Sequence, residues 1–285
     1  MISVELYRQM AVLAKKNPKL DDQVILNKVI RSMVPRIDYH KLNSTKFLCG
    51  LNYYEKPKRY FADTAKKCYG CVVVHNNYIV SKAAKIYRQK EMLQWMYDGD
   101  QYYSDPNRKY LQFTNISVPN YNDKQPLQEN KDALMSAFAI GQILNRTVIL
   151  PRLSCNGIPC PLNYLYNIKY FERFFKSKYR ESSFLLHPKV PESVKKSISE
   201  PYGIWSSYSY SKPAKSKVII KTPRDAHAGA TSDEIMKWFG DCQESVLKFE
   251  TLHKAFKGFT DKNVQLKFER RFANSLKIAN YQQTG

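Results

Sequence analysis

The sequence predicts an α/β protein, because short β-branched runs alternate along the chain with apolar residues at helical spacing. The segments 71–75, 147–150 and 218–220 are the predicted strands. At 285 residues the chain is long enough for two domains. Its composition, 43% hydrophobic and 25% charged, is typical of a globular protein and excludes a disordered chain.

Two helices are predicted at the start of the chain. The first covers 3–16, where residues three or four apart are apolar. The second covers 23–30, with Asp21 and Asp22 as N-terminal caps and Pro35 beyond its end. Together they predict a helical start to the first domain.

The middle of the chain predicts a change of domain. The strand 71–75 is predicted to be buried because it is β-branched, and a helix over 81–97 follows it. The segment from 103 onwards is rich in Asn, Asp, Pro and Tyr and breaks the periodicity. We therefore expect a first domain over 1–100, a linker or surface excursion over 101–128, and a second α/β domain over 129–285.

The second domain opens on an apolar helix over 132–144, and the strand 147–150 follows it. Pro151 ends this strand. Further on, Thr231 and Glu234 have the spacing of a capping box, which predicts the start of another helix. This alternation of helices and strands favours a Rossmann-like arrangement.

Charge is the first indication of function. Lys and Arg number 46 against 25 Asp and Glu, which gives a net charge of +21. The excess predicts an anionic partner, which could be a nucleic acid, a membrane surface or a small phosphorylated ligand. It is spread over both halves of the chain, which disfavours a basic nucleic-acid-binding arm. No stretch has the roughly 18 apolar residues that a membrane span needs.

The cysteines leave the redox compartment open. Cys68 and Cys71 could form half of a zinc site, but no second Cys or His pair stands at ligand spacing, so a disulfide or two buried thiols is favoured. Cys155 and Cys160 flank a turn. Three Asn-x-Ser/Thr triplets, which fit a secretory lumen but also arise by chance, begin at Asn43, Asn115 and Asn145.

Asp22 and Gln23 are the first candidate site residues. One interpretation is a capped helix with a buried Asn27 one turn further on. The other is a carboxylate and an amide that bind a sugar acceptor, whose hydroxyls need such partners.

His75, Asn76 and Asn77 directly follow a predicted strand. In open α/β sheets, ligands bind at the carboxyl ends of strands, so an imidazole and two amides at this place indicate a crevice. Lys82 and Lys85, in the first turns of the next helix, could meet a diphosphate. The alternative is that the histidine has only a structural role.

These residues carry a resemblance to a known family. Asp-Gln-x-x-Leu-Asn at 22–27, Val-Val-His-Asn-Asn at 73–77 and Lys-x-x-Lys-Ile at 82–86 resemble the nucleotide-diphospho-sugar transferases, which include plant arabinosyl- and xylosyltransferases. The resemblance covers about 1–110 and is continued by 145–151, which is similar to a segment of fucosyltransferase-like proteins. It implies the C-terminal part of a GT-A domain followed by the second, Rossmann-like domain.

The resemblance implies transfer of a sugar from a UDP-linked donor to a glycan or glycoprotein acceptor, with help from a divalent metal, Mn²⁺. It implies His75 as a metal ligand and Asp22 and Gln23 as the catalytic pair beside the sugar. The substrate-binding residues that it implies are Asn76, Asn77, Lys82 and Lys85.

In such families an Asp-x-Asp after an apolar strand also holds the metal, and we expect that strand to precede residue 1. Asp98-Gly-Asp100 has the right letters, but it lies at the predicted end of a helix, so we interpret it as a polar terminus. We therefore expect an N-terminally truncated enzyme that does not turn over substrate alone.

The resemblance also implies a Golgi or other secretory-pathway lumen, with a membrane anchor only in a longer form and with no nucleic acid as partner. The alternative, from another functional class, is a non-catalytic basic protein that binds anionic glycans or nucleic acid. The net charge of +21 and the interleaved aromatic residues motivate this alternative.

Overall fold

The computed structural model describes residues 2–34, 40–50, 70–77, 81–114, 124–155, 158–160, 162, 166–205, 219–221 and 229–276. The chain divides into two compact units, Met1–Phe47 and Leu48–Gly285, and each is described by itself. Among the described residues, no helix has the length and apolar character that crossing a membrane requires.

The first unit is built from two helices, α1 (Ile2–Lys16) and α2 (Asp22–Met33), close to their predicted positions. Asp21 caps α2, since its carboxylate accepts a hydrogen bond from the Val24 N–H at 2.8 Å. The helix runs three residues past its predicted end. The reason is its apolar face, where Ile25, Val29 and Met33 recur every four residues and are buried.

A four-stranded parallel sheet organises the second unit. Its strands are β3 (Tyr110–Phe113), β4 (Thr147–Ile149), β7 (Tyr179–Arg180) and β11 (Val246–Phe249). They lie side by side in the order β11-β3-β4-β7. When the four strands are numbered along the chain and the sheet is followed from β7 to β11, the order is 3-2-1-4, as in a Rossmann-type sheet. The predicted α/β class is therefore confirmed.

Helices cover this sheet. They are α3 (Lys82–Glu91), α4 (Lys124–Ile143), α5 (Ile168–Phe175), α6 (Glu192–Lys196), α7 (Ser232–Phe239) and α8 (Lys262–Ser275). Helix α4 joins β3 to β4, and its apolar side packs into the core through Leu134, Ala137, Phe138 and Ile140, all buried. The capping box at the start of α7 is confirmed.

The remaining described strands form two-stranded sheets. These are β1 (Phe47–Cys49) with β2 (Val73–His75), β5 (Leu153–Cys155) with β6 (Ile158–Cys160), β8 (Gly203–Trp205) with β9 (Ile219–Lys221), and β10 (Ala230–Thr231) with β12 (Phe256–Gly258). Strands β5 and β6 pair antiparallel, whereas β8–β9 and β10–β12 are parallel.

Arg146, in the turn before β4, connects this turn to two other segments of the chain. Its guanidinium donates hydrogen bonds to the carbonyls of Tyr110, Glu244 and Cys242, at 3.2, 2.7 and 2.7 Å. The side chain is buried, and burial lowers the pKa of Arg146. The turn at 145–147 therefore ties the start of β3 to the residues before β11.

The predicted linker over 101–128 is wrong for part of its length. Tyr110–Phe113 form β3, a central strand of the sheet, and Tyr110 and Leu111 are fully buried. This strand has only four residues, between polar and turn-forming neighbours. Such a short run is not detectable as a hydrophobic periodicity in the sequence. The domain boundary near residue 100 stays a prediction.

The burial predicted for the strand 71–75 is also wrong. Val72 and Val73 are 64% and 50% exposed. Strand β2 is paired with β1 in a two-stranded sheet and is not a member of the four-stranded sheet. The following helix is shorter than predicted, since α3 ends at Glu91 rather than at 97, and Leu93 has a left-handed φ of 58°.

Candidate functional site

Asp22 and Gln23 lie in the first turn of α2, and both are exposed. The Asp22 carboxylate accepts a hydrogen bond from the Gln23 N–H at 2.9 Å, and the Gln23 amide donates to Asn27 at 3.3 Å. Asn27 is exposed, so the interpretation as a buried asparagine is wrong. The three side chains form a polar, exposed row on α2.

His75, Asn76 and Asn77 lie at the end of β2, and the two amides take part in the local fold. The Asn77 side-chain oxygen accepts a hydrogen bond from the Gly50 N–H at 2.8 Å. The Asn76 amide donates to the Lys85 carbonyl at 3.2 Å. A Cβ at Gly50 would collide with the Asn77 carbonyl, so this close approach requires glycine.

Lys82 and Lys85 lie in the first turns of α3, where Ser81 is the N-cap and accepts from the Ala84 N–H at 3.2 Å. Both lysines are exposed and stand one turn apart, on the same side of the helix. The hydrogen bond from Asn76 to the Lys85 carbonyl joins the β2 end to this turn. The structure thus brings Asn76 and Lys85 together.

The other expected association stays a prediction. Asp22 and Gln23 belong to the first unit, whereas His75 and the two lysines belong to the second. Within the described ranges, no group of three or more His, Cys, Asp or Glu side chains could hold a metal ion. His75 is exposed at the end of its strand.

Asp98-Gly-Asp100 is not the polar end of the preceding helix that the sequence predicts, because α3 already ends at Glu91. The Asp98 carboxylate accepts a hydrogen bond from the Tyr103 N–H at 2.6 Å and begins a short 3-10 turn, Gly99–Gln101. Asp100 is exposed, with a left-handed φ of 56°. The Asp98 carboxylate therefore stabilises the turn between α3 and β3.

A polar cluster that sequence reasoning missed lies where β7 ends. We call Tyr102, Arg180 and Glu181, together with Lys90 and Glu91 of α3, the β7 cluster. The Tyr102 hydroxyl donates to Glu181 at 2.7 Å, and the Arg180 guanidinium lies 4.0 Å from the Tyr102 ring centroid. The Lys90 ammonium lies 3.4 Å from the same centroid, so two cations contact one aromatic ring.

Burial shifts the protonation equilibria in the β7 cluster. It raises the pKa of Glu91 to about 7, with Glu181 adding to the rise and Arg88 opposing it. Burial also lowers the pKa of Lys90 and raises that of Tyr102 well above its usual value. A carboxyl that titrates near neutral pH is suited to proton transfer.

The signal for this cluster in the sequence is weak. Lys90 and Glu91 are adjacent charged residues in a helix, a pattern that usually indicates a solvated face. Arg180 and Glu181 follow an aromatic segment whose strand has only two residues. Their position at the carboxyl end of a parallel strand became visible only with the sheet order.

Comparison with known proteins gives a partial similarity. The chain is 26% identical over 170 residues to an arabinosyltransferase of Arabidopsis thaliana, in an alignment that covers 48% of this chain and 26% of that protein. The chain is distantly similar to a glycosyltransferase. It spans about a quarter of that relative's length. No model of a known family matches it, and neither does any solved structure.

Proposed function

We propose that this protein takes part in transfer of a sugar from a UDP-linked donor to a glycan or glycoprotein acceptor. The observation that carries the proposal is the similarity to an arabinosyltransferase. A parallel sheet with the strand order of nucleotide-binding folds supports it. UDP-arabinose is the first donor to test, because the relative is named for arabinosyl transfer.

The reaction forms a bond between an acceptor hydroxyl oxygen and the anomeric carbon of the sugar. The bond from that carbon to the diphosphate breaks, and UDP leaves with the electron pair. The exposed Asp22 carboxylate is the proposed group that accepts the proton of the acceptor hydroxyl. The Gln23 amide is proposed to form a hydrogen bond with a hydroxyl of the sugar.

The leaving diphosphate needs positive charge. Lys82 and Lys85 supply two ammonium groups one turn apart at the start of α3, where the helix dipole is also positive. Asn76 has a buried side-chain oxygen without a hydrogen-bond partner among the described residues, and a donor hydroxyl is its proposed partner. Asn77 is the second proposed substrate-binding amide.

Mn²⁺ is the proposed metal, with His75 as one ligand, since a single imidazole suits Mn²⁺ better than Mg²⁺. The described residues do not complete such a site, because His75 is not part of any group of three potential ligands there. When bound, the metal would neutralise charge on the diphosphate.

Binding of UDP to the two lysines can be tested by isothermal titration calorimetry. In Lys82→Gln/Lys85→Gln we expect the affinity for UDP to fall at least tenfold, because both charges opposite the diphosphate are removed. The control is Lys262→Gln/Lys267→Gln, which removes two exposed lysines of α8. Equal losses in the two variants, or no UDP binding by the unmodified chain, would contradict the proposal.

The role of His75 has its own test. His75→Ala should abolish any increase in UDP affinity that Mn²⁺ produces, whereas His40→Ala, which removes another exposed histidine, should not. An unchanged effect of Mn²⁺ in His75→Ala would remove the metal-ligand assignment.

We also propose a secretory-pathway lumen, the Golgi, as the location. The relative is a plant arabinosyltransferase, and Cys71 is disulfide-bonded, which fits an oxidising compartment. The alternative function, a non-catalytic basic binding protein, predicts the opposite calorimetric result: polyanions would bind with strong salt dependence and UDP would not.

A further inference from the structure

A polar groove lies at the amino edge of the four-stranded sheet. It is formed by the segments that lead into β3, β4 and β7, and its volume is about 480 Å³. Ligand pockets typically have about 300–1,000 Å³. We call it the amino-edge groove, and the residues that matter for its chemistry are Asp105, Asn107, Arg108, Asn145, Ser177 and Lys178.

Several polar groups of this groove are available to a ligand. The side chains of Asn107, Asn145, Ser177 and Lys178 make no hydrogen bond or ion pair with any described residue. Asn145 has a left-handed φ of 49°, which presents its exposed amide at the turn before β4. Two amides, a hydroxyl and an ammonium thus face one concave surface.

The charge of the groove is positive. Arg108 pairs with Asp105 at 3.2 Å through Nε, so the outer nitrogens of its guanidinium stay available. Lys109 is held by the Cys242 carbonyl at 3.2 Å and by Gln243 at 3.4 Å. Three cations against one carboxylate favour an anion, and Lys178 is the exposed cation among them.

The mixture of groups selects among anions. A guanidinium and an ammonium suit carboxylates, while primary amides and hydroxyls suit the ring hydroxyls of a sugar, as both donors and acceptors. No aromatic side chain is present among the described residues that line the groove. Single-stranded nucleic acids depend on aromatic stacking, so this lining favours an acidic glycan over a nucleic acid.

We propose that the amino-edge groove binds acidic oligosaccharides of the uronic acid type, with Arg108 and Lys178 on the carboxylates and Asn107, Asn145 and Ser177 on the hydroxyls. None of the described residues that line the groove belongs to the proposed donor-binding residues at the end of β2 and in α3. The groove would hold an acidic acceptor or matrix glycan on the molecule. Binding there does not require that sugar transfer occurs.

The probe is trigalacturonic acid, with maltotriose as the neutral trisaccharide, titrated by calorimetry into the full chain. The protein is produced in bacteria, so that Asn145 carries no glycan. We expect trigalacturonic acid to bind and its affinity to fall between 50 and 200 mM NaCl, because salt screens the exposed charges. Maltotriose should bind at least tenfold more weakly.

Two matched charge reversals locate the site. Lys176→Glu and Lys178→Glu alter exposed lysines two positions apart and change the net charge equally, but only Lys178 lines the groove. In Lys178→Glu the affinity for trigalacturonic acid should fall at least tenfold, and in Lys176→Glu less than twofold. Both variants alter surface side chains, and far-ultraviolet circular dichroism should confirm an unchanged fold.

Three results would overturn the proposal. These are no binding of trigalacturonic acid, equal losses in the two variants, and tighter binding of a single-stranded oligonucleotide that Lys178→Glu abolishes. The UDP titration is a separate readout. If UDP does not bind but trigalacturonic acid binds through Lys178, the proposed sugar transfer fails while the groove assignment holds.

Discussion

Glu91 has a carboxyl whose ionisation depends strongly on its surroundings. Its carboxyl lies close to Tyr87, whose hydroxyl is 3.5 Å away, and it is near Arg88, Arg152 and Glu181. Burial raises the pKa of Glu91 from 4.5 to about 7. The folded protein therefore retains a proton there at pH values where the unfolded chain has released it.

This shift predicts how stability depends on pH. The free energy of unfolding should fall as pH rises from 4.5 to about 7 and level off above that, because ionisation is costlier in the folded state. In Glu91→Gln this contribution disappears. The free energy of unfolding of the variant, relative to that of the unmodified protein, should therefore rise by about 2 kcal/mol from pH 5 to pH 8. Urea denaturation at the two pH values measures it. The exposed Glu200→Gln is the control, and a slope unchanged in Glu91→Gln would contradict the assignment.

The predicted site residues differ in how much of their role the structure explains. Asn76 and Asn77 stabilise the local fold: the Asn76 amide donates to the Lys85 carbonyl, and the Asn77 side-chain oxygen accepts from the Gly50 N–H. Asp22, Lys82 and Lys85 are exposed, and their side chains make no hydrogen bond to a distant segment among the residues that the structure describes. A loss of UDP binding in the lysine variant would thus report on ligand contact rather than on folding.

At the scale of elements, the capping box of α7 makes a direct prediction. The Thr231 hydroxyl accepts from the Glu234 N–H at 3.4 Å, and the Glu234 carboxylate accepts from the Thr231 N–H at 2.8 Å. Thr231→Ala should lower the free energy of unfolding by about 1 kcal/mol, because an N-terminal amide loses its partner. Thr231→Ser keeps the hydroxyl and should recover most of that loss in the same urea titration.

Gly141 in α4 sets two effects against each other. Replacing glycine in a helix by alanine gains about 1 kcal/mol from propensity. A Cβ at Gly141, however, would lie 2.9 Å from both the Arg146 carbonyl and Val148 Cγ2. Overpacking of a core costs about 1–3 kcal/mol, so Gly141→Ala should be destabilising overall. As a control, Gln142→Ala alters an exposed neighbour and should change the free energy of unfolding by less than about 0.5 kcal/mol. If Gly141→Ala instead raises the free energy of unfolding, β4 can move away from the added methyl group.

Elements with a strong local signal were predictable, and those made by long-range pairing were not. The caps at Asp21 and Thr231 depend on neighbours within a few residues, and the structure confirms them. Strand β3 is four residues long and lies between β4 and β11, which are distant from it along the chain. Strand β2 likewise pairs with β1 rather than with the four-stranded sheet, and no local pattern specifies that pairing.

The same distinction applies to candidate sites. Motif spacing could select His75 and the lysines of α3, because those residues are near one another along the chain. The β7 cluster joins residues about 80–90 positions apart, and the amino-edge groove combines three separate turns. Such sites arise from strand order, so they could be recognised only after the order β11-β3-β4-β7 was known.

At the scale of the whole molecule, the hydrophobic core belongs to the second unit. The core cluster extends from Leu48 to Phe272, and the polar groups of the groove and of the β7 cluster also lie beyond residue 47. Asp22 and Gln23 lie in the first unit. The proposed catalytic pair and the candidate binding surfaces therefore belong to different units of the chain.

This separation leads to a prediction for a chain that begins at Lys46. Because the described core cluster is retained, its thermal midpoint should stay within about 4 °C of the full chain, the shift that about 1 kcal/mol produces in a domain of this size. The groove is intact, so trigalacturonic acid should bind with less than a twofold change.

The shortened chain should show no sugar transfer under any conditions where the full protein transfers arabinose from UDP-arabinose, since Asp22 and Gln23 are absent. Asp22→Asn/Gln23→Ala in the full chain is the matched control and should reproduce the loss without changing the thermal midpoint, because both side chains are exposed. If the shortened chain transfers sugar as fast as the full one, the catalytic pair is misassigned. If it fails to fold, the two units depend on each other for stability.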